Sequence, residues 1–154
     1  MSQTEPVTDA ASASTEPASD AAAAPGESTP APTPFDRIGG EIVVRQIVER
    51  FYDLMDTDPA VAKLRAMHAG DLGPMREKLG DFLVGWLGGP PLYFRRQDAR
   101  CMGEAHEPFA IDAGIRDEWL SCMHRALDDC GVAPDLQAPM REALARMTSA
   151  MLNR

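Results

Sequence analysis

Apolar residues recur at helical spacing in four long stretches of the chain, and no stretch shows the alternation of a half-buried strand. From Glu41 to Asp56, Val44, Ile47, Val48, Phe51, Tyr52 and Met55 fall three and four apart, on one helix face, just after Gly39-Gly40. Asp58-Pro59 offers an N-cap followed by proline at the first helical position, which predicts a short helix to about Met67, ended by His68-Ala69-Gly70. Leu72, Met75, Leu79, Phe82, Leu83 and Trp86 mark a second long amphipathic helix, and Gly88-Gly89-Pro90-Pro91 forces its end. Asp112 caps a third, with Ile115, Trp119, Cys122, Met123, Ala126, Leu127 and Cys130 as its stripe. Gly131 to Pro134 breaks it, and Asp135 starts a last helix that carries Leu136, Met140, Leu144, Met147 and Met151.

The pattern therefore predicts an all-α domain made of two antiparallel helix pairs, Glu41–Asp56 with Leu72–Leu87 and Asp112–Cys130 with Asp135–Leu152. Between the pairs, Leu92 to Ala105 has a weak pattern with room for only a turn or two. His106 follows it. Pro108 disfavours helix at the residue before it, so this imidazole belongs at the end of a short helix. A weakly patterned segment inside a well-patterned domain needs something to pack on, and a bound cofactor would supply it.

Composition changes the picture at the start of the chain. Residues 1–34 hold nine Ala, six Pro, five Ser, five Thr and five acids, with no Lys, Arg or aromatic. Such a segment buries too little apolar surface to offset the entropy of ordering it, so a disordered N-terminal extension is expected before a domain over 35–154. A secretory signal needs a basic start and an apolar run of about 7–15 residues, which this tail lacks. No stretch approaches the ~20 apolar residues of a membrane span. A cytoplasmic protein is expected.

From Phe35 onward the chain has 15 basic and 19 acidic residues, a net charge of −4 against −9 for the whole. Neither part offers a basic stripe for phosphate backbones, which argues against a nucleic-acid partner. Cys101, Cys122 and Cys130 are odd in number and lack CxxC spacing, so neither a zinc site nor a disulfide framework is expected. His124 lies about 140° around the helix from Trp119 and is expected to be exposed.

Taken in order, Ile38-Gly39-Gly40, Arg50-Phe51-Tyr52, Phe82-Leu83, Gly88 through Tyr93, and His106 through Trp119-Leu120-Ser121-Cys122-Met123 resemble the truncated hemoglobins, most closely group II. The resemblance covers Phe35 to Arg154. It implies a two-over-two helical sandwich around heme b, with His106 as the proximal iron ligand and a diatomic gas, O2 or else NO or CO, on the open side. Tyr52 matches the distal tyrosine and Trp119 the tryptophan that marks group II. His68 matches a distal bend position where Tyr or Phe is common; it could donate to Tyr52 or the gas, or act as a sixth ligand. Met75 and Leu79 match the positions that face the gas, and Phe82, Tyr93 and Arg96 complete the implied heme pocket.

The chemistry agrees with these assignments. A neutral imidazole nitrogen ligates ferrous heme well, and its second nitrogen needs an acceptor, expected among the carbonyls of Ala99 to Gly103. Bound O2 gains partial negative charge, so a phenol O–H and an indole N–H aimed at it stabilise it. Met75 and Leu79 can only keep water out. Each of these residues also has a plainer reading, as ordinary core or helix-end side chains at helical spacing.

One segment departs from the family. Where group II members carry a Gly-His-Pro-Arg-Leu-Arg-like run, this chain reads Asp98 to Ala105, and Ala105 replaces an arginine that would serve a heme propionate. Arg95, Arg96 or Arg100, with Tyr93, are the available substitutes, while Glu104 adds a negative charge nearby. No flavin or nicotinamide motif is present, so any turnover needs an external reductase. Two other readings stay open: an NO dioxygenase or peroxidase-like heme enzyme, and a heme-free helical interaction module.

Overall fold

Thr33-Pro34-Phe35-Asp36 opens the helical domain with a capping box. The Thr33 hydroxyl accepts from the Asp36 amide (3.1 Å), and the Asp36 carboxylate accepts from the Thr33 amide (2.9 Å). The computed structural model describes residues 29–154. Most of the expected disordered tail, residues 1–28, lies outside the described residues. Helix α1 (Pro34–Ile38) ends at Gly39, and α2 (Gly40–Thr57) follows at once. Gly39 and Gly40 both have positive φ, 108° and 75°, which gives this abrupt joint its two glycines.

Asp58 caps the next segment by accepting from the Ala60 amide, and a 3-10 turn (Pro59–Val61) leads into α3 (Ala62–Ala66). Helix α4 (Gly73–Trp86) stops at the Gly88-Gly89 pair. A side chain at Gly89 would meet the Phe35 ring and the Val84 carbonyl, each at 2.8 Å, so the glycine lets α1 lie against the end of α4. Leu92 to Ala105 forms a 3-10 turn (Tyr93–Arg95) and the start of α5 (Met102–His106), the turn or two the weak pattern allows. His106 is the last residue of α5.

Asp112 caps α6 (Ala113–Asp129) by accepting from the Ile115 amide (2.9 Å). Helix α7 spans Pro134–Ser149, so it begins one residue earlier and ends three earlier than the periodicity suggests. Pro134 takes the first position, where a missing N–H costs nothing.

Among the described residues there is no strand, and the helices form a two-over-two arrangement. Helix α2 packs on α4, α6 packs on α7, and α2 against α6 joins the pairs. Their interface buries Phe51, Met55, Met123, Ala126 and Leu127 almost completely. No helix among the described residues is long and apolar enough to cross a membrane.

A buried carboxylate ties the segment after α4 to the core. Asp81 accepts from Arg45 of α2 (2.6 Å) and from Arg96 (2.7 Å), which also reaches Asp98 (3.1 Å). Burial pushes the Asp81 carboxyl up, but the two guanidinium groups outweigh it and hold the pKa below the ordinary value. Because the folded-state pKa is the lower one, this stabilisation is present above the unfolded value of about 3.9 and is lost as pH falls through the folded value. Asp81→Asn should cost about 1–3 kcal/mol at neutral pH. Urea unfolding should show that the gap from wild type narrows in acid; a gap independent of pH would count against the charge pairing.

His124 is half-buried rather than exposed. The α6–α7 contact covers it, its Nε2 has no partner among the described residues, and burial lowers its pKa.

Candidate functional site

A cavity of about 730 Å³ opens between α2, the α3–α4 corner, α5, α6 and the end of α7. Its volume suits a cofactor-sized ligand. Eight of the nine residues singled out in the sequence line it: Tyr52, His68, Met75, Leu79, Phe82, Tyr93, His106 and Trp119. Arg96 does not; its guanidinium pairs with Asp81, outside the lining, and with Asp98, on the lining.

Tyr52 reaches the cavity from the buried face of α2. Its ring meets Phe51 edge-on at 4.9 Å, and Phe51 meets Trp119 of α6 at 5.2 Å, so one core phenylalanine sets the spacing of both polar aromatics. Burial pushes the Tyr52 phenol well above its usual pKa, partly countered by Arg76, which lies 5.6 Å over the ring. The group therefore stays protonated, a donor, at any physiological pH. Neither the Tyr52 hydroxyl nor the Trp119 indole N–H has a hydrogen-bond partner among the described residues, which leaves both available to a ligand.

His68 closes the same corner. Its ring lies edge-on to Tyr52 at 6.1 Å, and its Nδ1 donates to the Leu64 carbonyl (2.9 Å), which leaves Nε2 free. Leu64 is itself held from α6, where the Glu118 carboxylate accepts from the Leu64 amide (2.8 Å). Glu118 thus fixes the corner that carries His68 to the helix that carries Trp119.

His106 reaches the cavity from α5. Its Nδ1 donates to the Met102 carbonyl at 2.7 Å, inside the segment where the sequence places an acceptor. In the neutral imidazole that bond places the proton on Nδ1 and leaves the lone pair on Nε2. Helix α5 packs extensively on no other helix and buries none of its residues, so it stands at the cavity wall and outside the helical core.

Most of the remaining lining is apolar, but Lys78, Arg100 and Arg116 place three cations on it and Asp98 one carboxylate. Of the three arginines offered by the sequence, only Arg100 borders the cavity, and it has no ion-pair partner among the described residues. Lys78 pairs with Asp98 (2.7 Å). Sequence reasoning missed Lys78; its position one residue before Leu79, on the cavity side of α4, was the available signal. Among the described residues no cluster of His, Cys, Asp and Glu could hold a bare metal ion. An iron at His106 would need its other ligands from a macrocycle, and an apolar cavity with a free imidazole nitrogen and cations for two carboxylates fits a heme.

Comparison with known proteins agrees with the architecture. Residues 33–153 match the family model described as bacterial-like globin. The chain is 34% identical over 104 residues, 68% of its own length and 76% of the relative's, to the group 2 truncated hemoglobin YjbI of Bacillus subtilis. Among solved structures it is similar to the group II 2-on-2 hemoglobin of Agrobacterium tumefaciens, with a TM-score of 0.77 and 36% identity over 82% of this chain and 98% of that one. It is also similar to a truncated oxygen-avid haemoglobin from Bacillus subtilis, with a TM-score of 0.72 and 31% identity over 79% of this chain and 100% of that one.

Proposed function

This chain belongs to the bacterial-like globins as a group II truncated hemoglobin, a heme protein that binds diatomic gas, and from that premise we propose that it binds O2 reversibly at a heme b held by His106. The observation that carries this reading is the commitment of His106 Nδ1 to the Met102 carbonyl, which leaves Nε2 as a neutral donor atom toward the cavity. Heme, when bound, supplies the iron at which the gas is held. The chain's own residues do the rest.

Tyr52 and Trp119 direct an O–H and an N–H toward the gas, and their charge-assisted hydrogen bonds favour O2 over less polar ligands. His68 Nε2 is a third polar group at the same corner. Met75, Leu79 and Phe82 exclude water, which strengthens those bonds. Arg100, and Lys78 beside its partner Asp98, would take the place of the missing arginine at Ala105 in holding the heme carboxylates. Two strong donors slow gas release, which suits a high-affinity protein, and the name of the oxygen-avid relative from Bacillus subtilis points the same way. Electrons for any redox turnover come from an external reductase.

The test is gas titration of the reduced, heme-loaded protein. Reversible conversion between deoxygenated and oxygenated visible spectra, with further conversion by CO, is the expected result. Immediate irreversible oxidation by O2 would overturn the reading of a stable gas complex.

A further inference from the structure

Helix α5 is five residues long, buries none of them and has no extensive contact with another helix, so packing alone does not hold His106 in place. Its ends do. Ahead of α5 the Tyr93 hydroxyl donates to the Arg100 carbonyl (3.0 Å) and accepts from the Arg100 amide (3.3 Å). Behind α5 the Phe109 amide donates back to the His106 carbonyl (3.0 Å), and the chain then meets Asn153, beyond the end of α7.

Asn153 uses both ends of its carboxamide on this one stretch. Its Nδ2 donates to the Phe109 carbonyl (2.8 Å), and its Oδ1 accepts from the Ile111 amide (2.9 Å). Its own backbone amide donates to the Ile111 carbonyl (3.0 Å), joined by the amide of Arg154 (3.3 Å). Only an amide side chain offers a donor and an acceptor side by side in this way. Phe109, Ile111, Met147 and Met151 all border the cavity, so the clasp joins the end of α7 to the cavity wall that follows His106. One residue further on, Asp112 caps α6. Residues 107–112 are thus fastened in the middle by Asn153 and at the far end by α6.

We infer that Asn153 is a positioning residue for His106: by clasping Phe109 and Ile111 it sets where α5 lies and how firmly its imidazole meets the iron. This rests on the reading of His106 as the iron ligand. Without the Asn153 side chain, nothing from α7 would hold Phe109, and the stretch behind α5 would keep only the backbone bonds at Ile111 and the Asp112 cap, which lie further from His106.

The test uses the full chain loaded with heme, comparing wild type with Asn153→Ala, Asn153→Asp, Arg154→Ala and His106→Gly. Three readouts are taken: the iron–histidine stretching band of the ferrous protein by resonance Raman, the rate of hemin transfer to an excess of apomyoglobin, and amide hydrogen exchange. Asn153→Ala should shift or broaden the band, speed hemin loss about tenfold and quicken exchange at residues 107–111. Asn153→Asp, which keeps the acceptor for Ile111 but loses the donor to Phe109, should fall between. Arg154→Ala, which leaves both backbone amides and the Asn153 carboxamide in place and removes only an exposed contact to the Asn153 carbonyl (2.9 Å), should match wild type. An unchanged band and hemin loss in Asn153→Ala overturn the inference, as does exchange that quickens through all helices together. A band that survives in His106→Gly overturns the ligation reading instead, so the two failures are distinguishable.

Discussion

Replacing His106 with glycine should speed hemin loss by more than about 100-fold, and free imidazole should restore the coordination. Removing an outer partner of a metal ligand typically costs about 10–100-fold in metal affinity, so loss of the ligand itself exceeds that range. The substitution opens a gap where α5 ends, at a half-buried side chain, so the helical frame should survive it. Imidazole supplies the same neutral nitrogen without its tether to the Met102 carbonyl. Absorption spectra of the variant, with and without imidazole, give the answer. A variant that holds hemin as tightly as wild type would move the axial ligand elsewhere, with His68 the next imidazole on the cavity wall.

Tyr52→Phe and Trp119→Phe should each raise the O2 dissociation rate by roughly 10- to 150-fold, the equivalent of about 1.5–3 kcal/mol for a hydrogen bond to a charge-like acceptor. Both substitutions keep an aromatic ring against Phe51 and remove the polar hydrogen. CO draws less charge from iron and is the internal control; its dissociation should change far less. Because the two donors share one ligand, the double variant should fall short of the product of the single effects. Stopped-flow replacement of O2 by CO measures all three. Equal changes for O2 and CO would mean that the two aromatics act by filling space.

Features written in local chemistry were legible in the sequence. The caps at Asp58 and Asp112, the break at Gly88-Gly89 and the helix end at His106 each depend on residues within a few positions, and each forms where its residues indicate. Helix α1 had such a signal too, since Thr33 and Asp36 are spaced as a capping box, but the proline-rich run before it hid the start of the helical domain. Eight cavity residues could be named because the family resemblance fixed their order along the chain.

What escaped was long-range pairing. Asp81 holds arginines 36 and 15 residues away, Glu118 holds an amide 54 residues away, and Asn153 holds residues 42 and 44 positions back. Helical periodicity marks a face as polar or apolar and says nothing about which polar side chain a distant segment will need. Arg96 shows the cost most clearly. The resemblance and the arginine missing at Ala105 suggested it for the cavity, yet the buried Asp81 carboxylate competes for the same guanidinium and lies outside the lining. His124 differs for a related reason: it was expected to be exposed, but α7 packs against that part of α6 and half-buries it.

The central claim is that this cavity takes one heme, and hemin titration of the purified chain tests it most directly. The account predicts a sharp Soret band that rises linearly, breaks at one hemin per chain, and shifts on reduction and again on addition of CO. A broad band that grows without saturation, as for hemin loosely adsorbed to a surface, would contradict it and leave a helical interaction module as the better description of the chain.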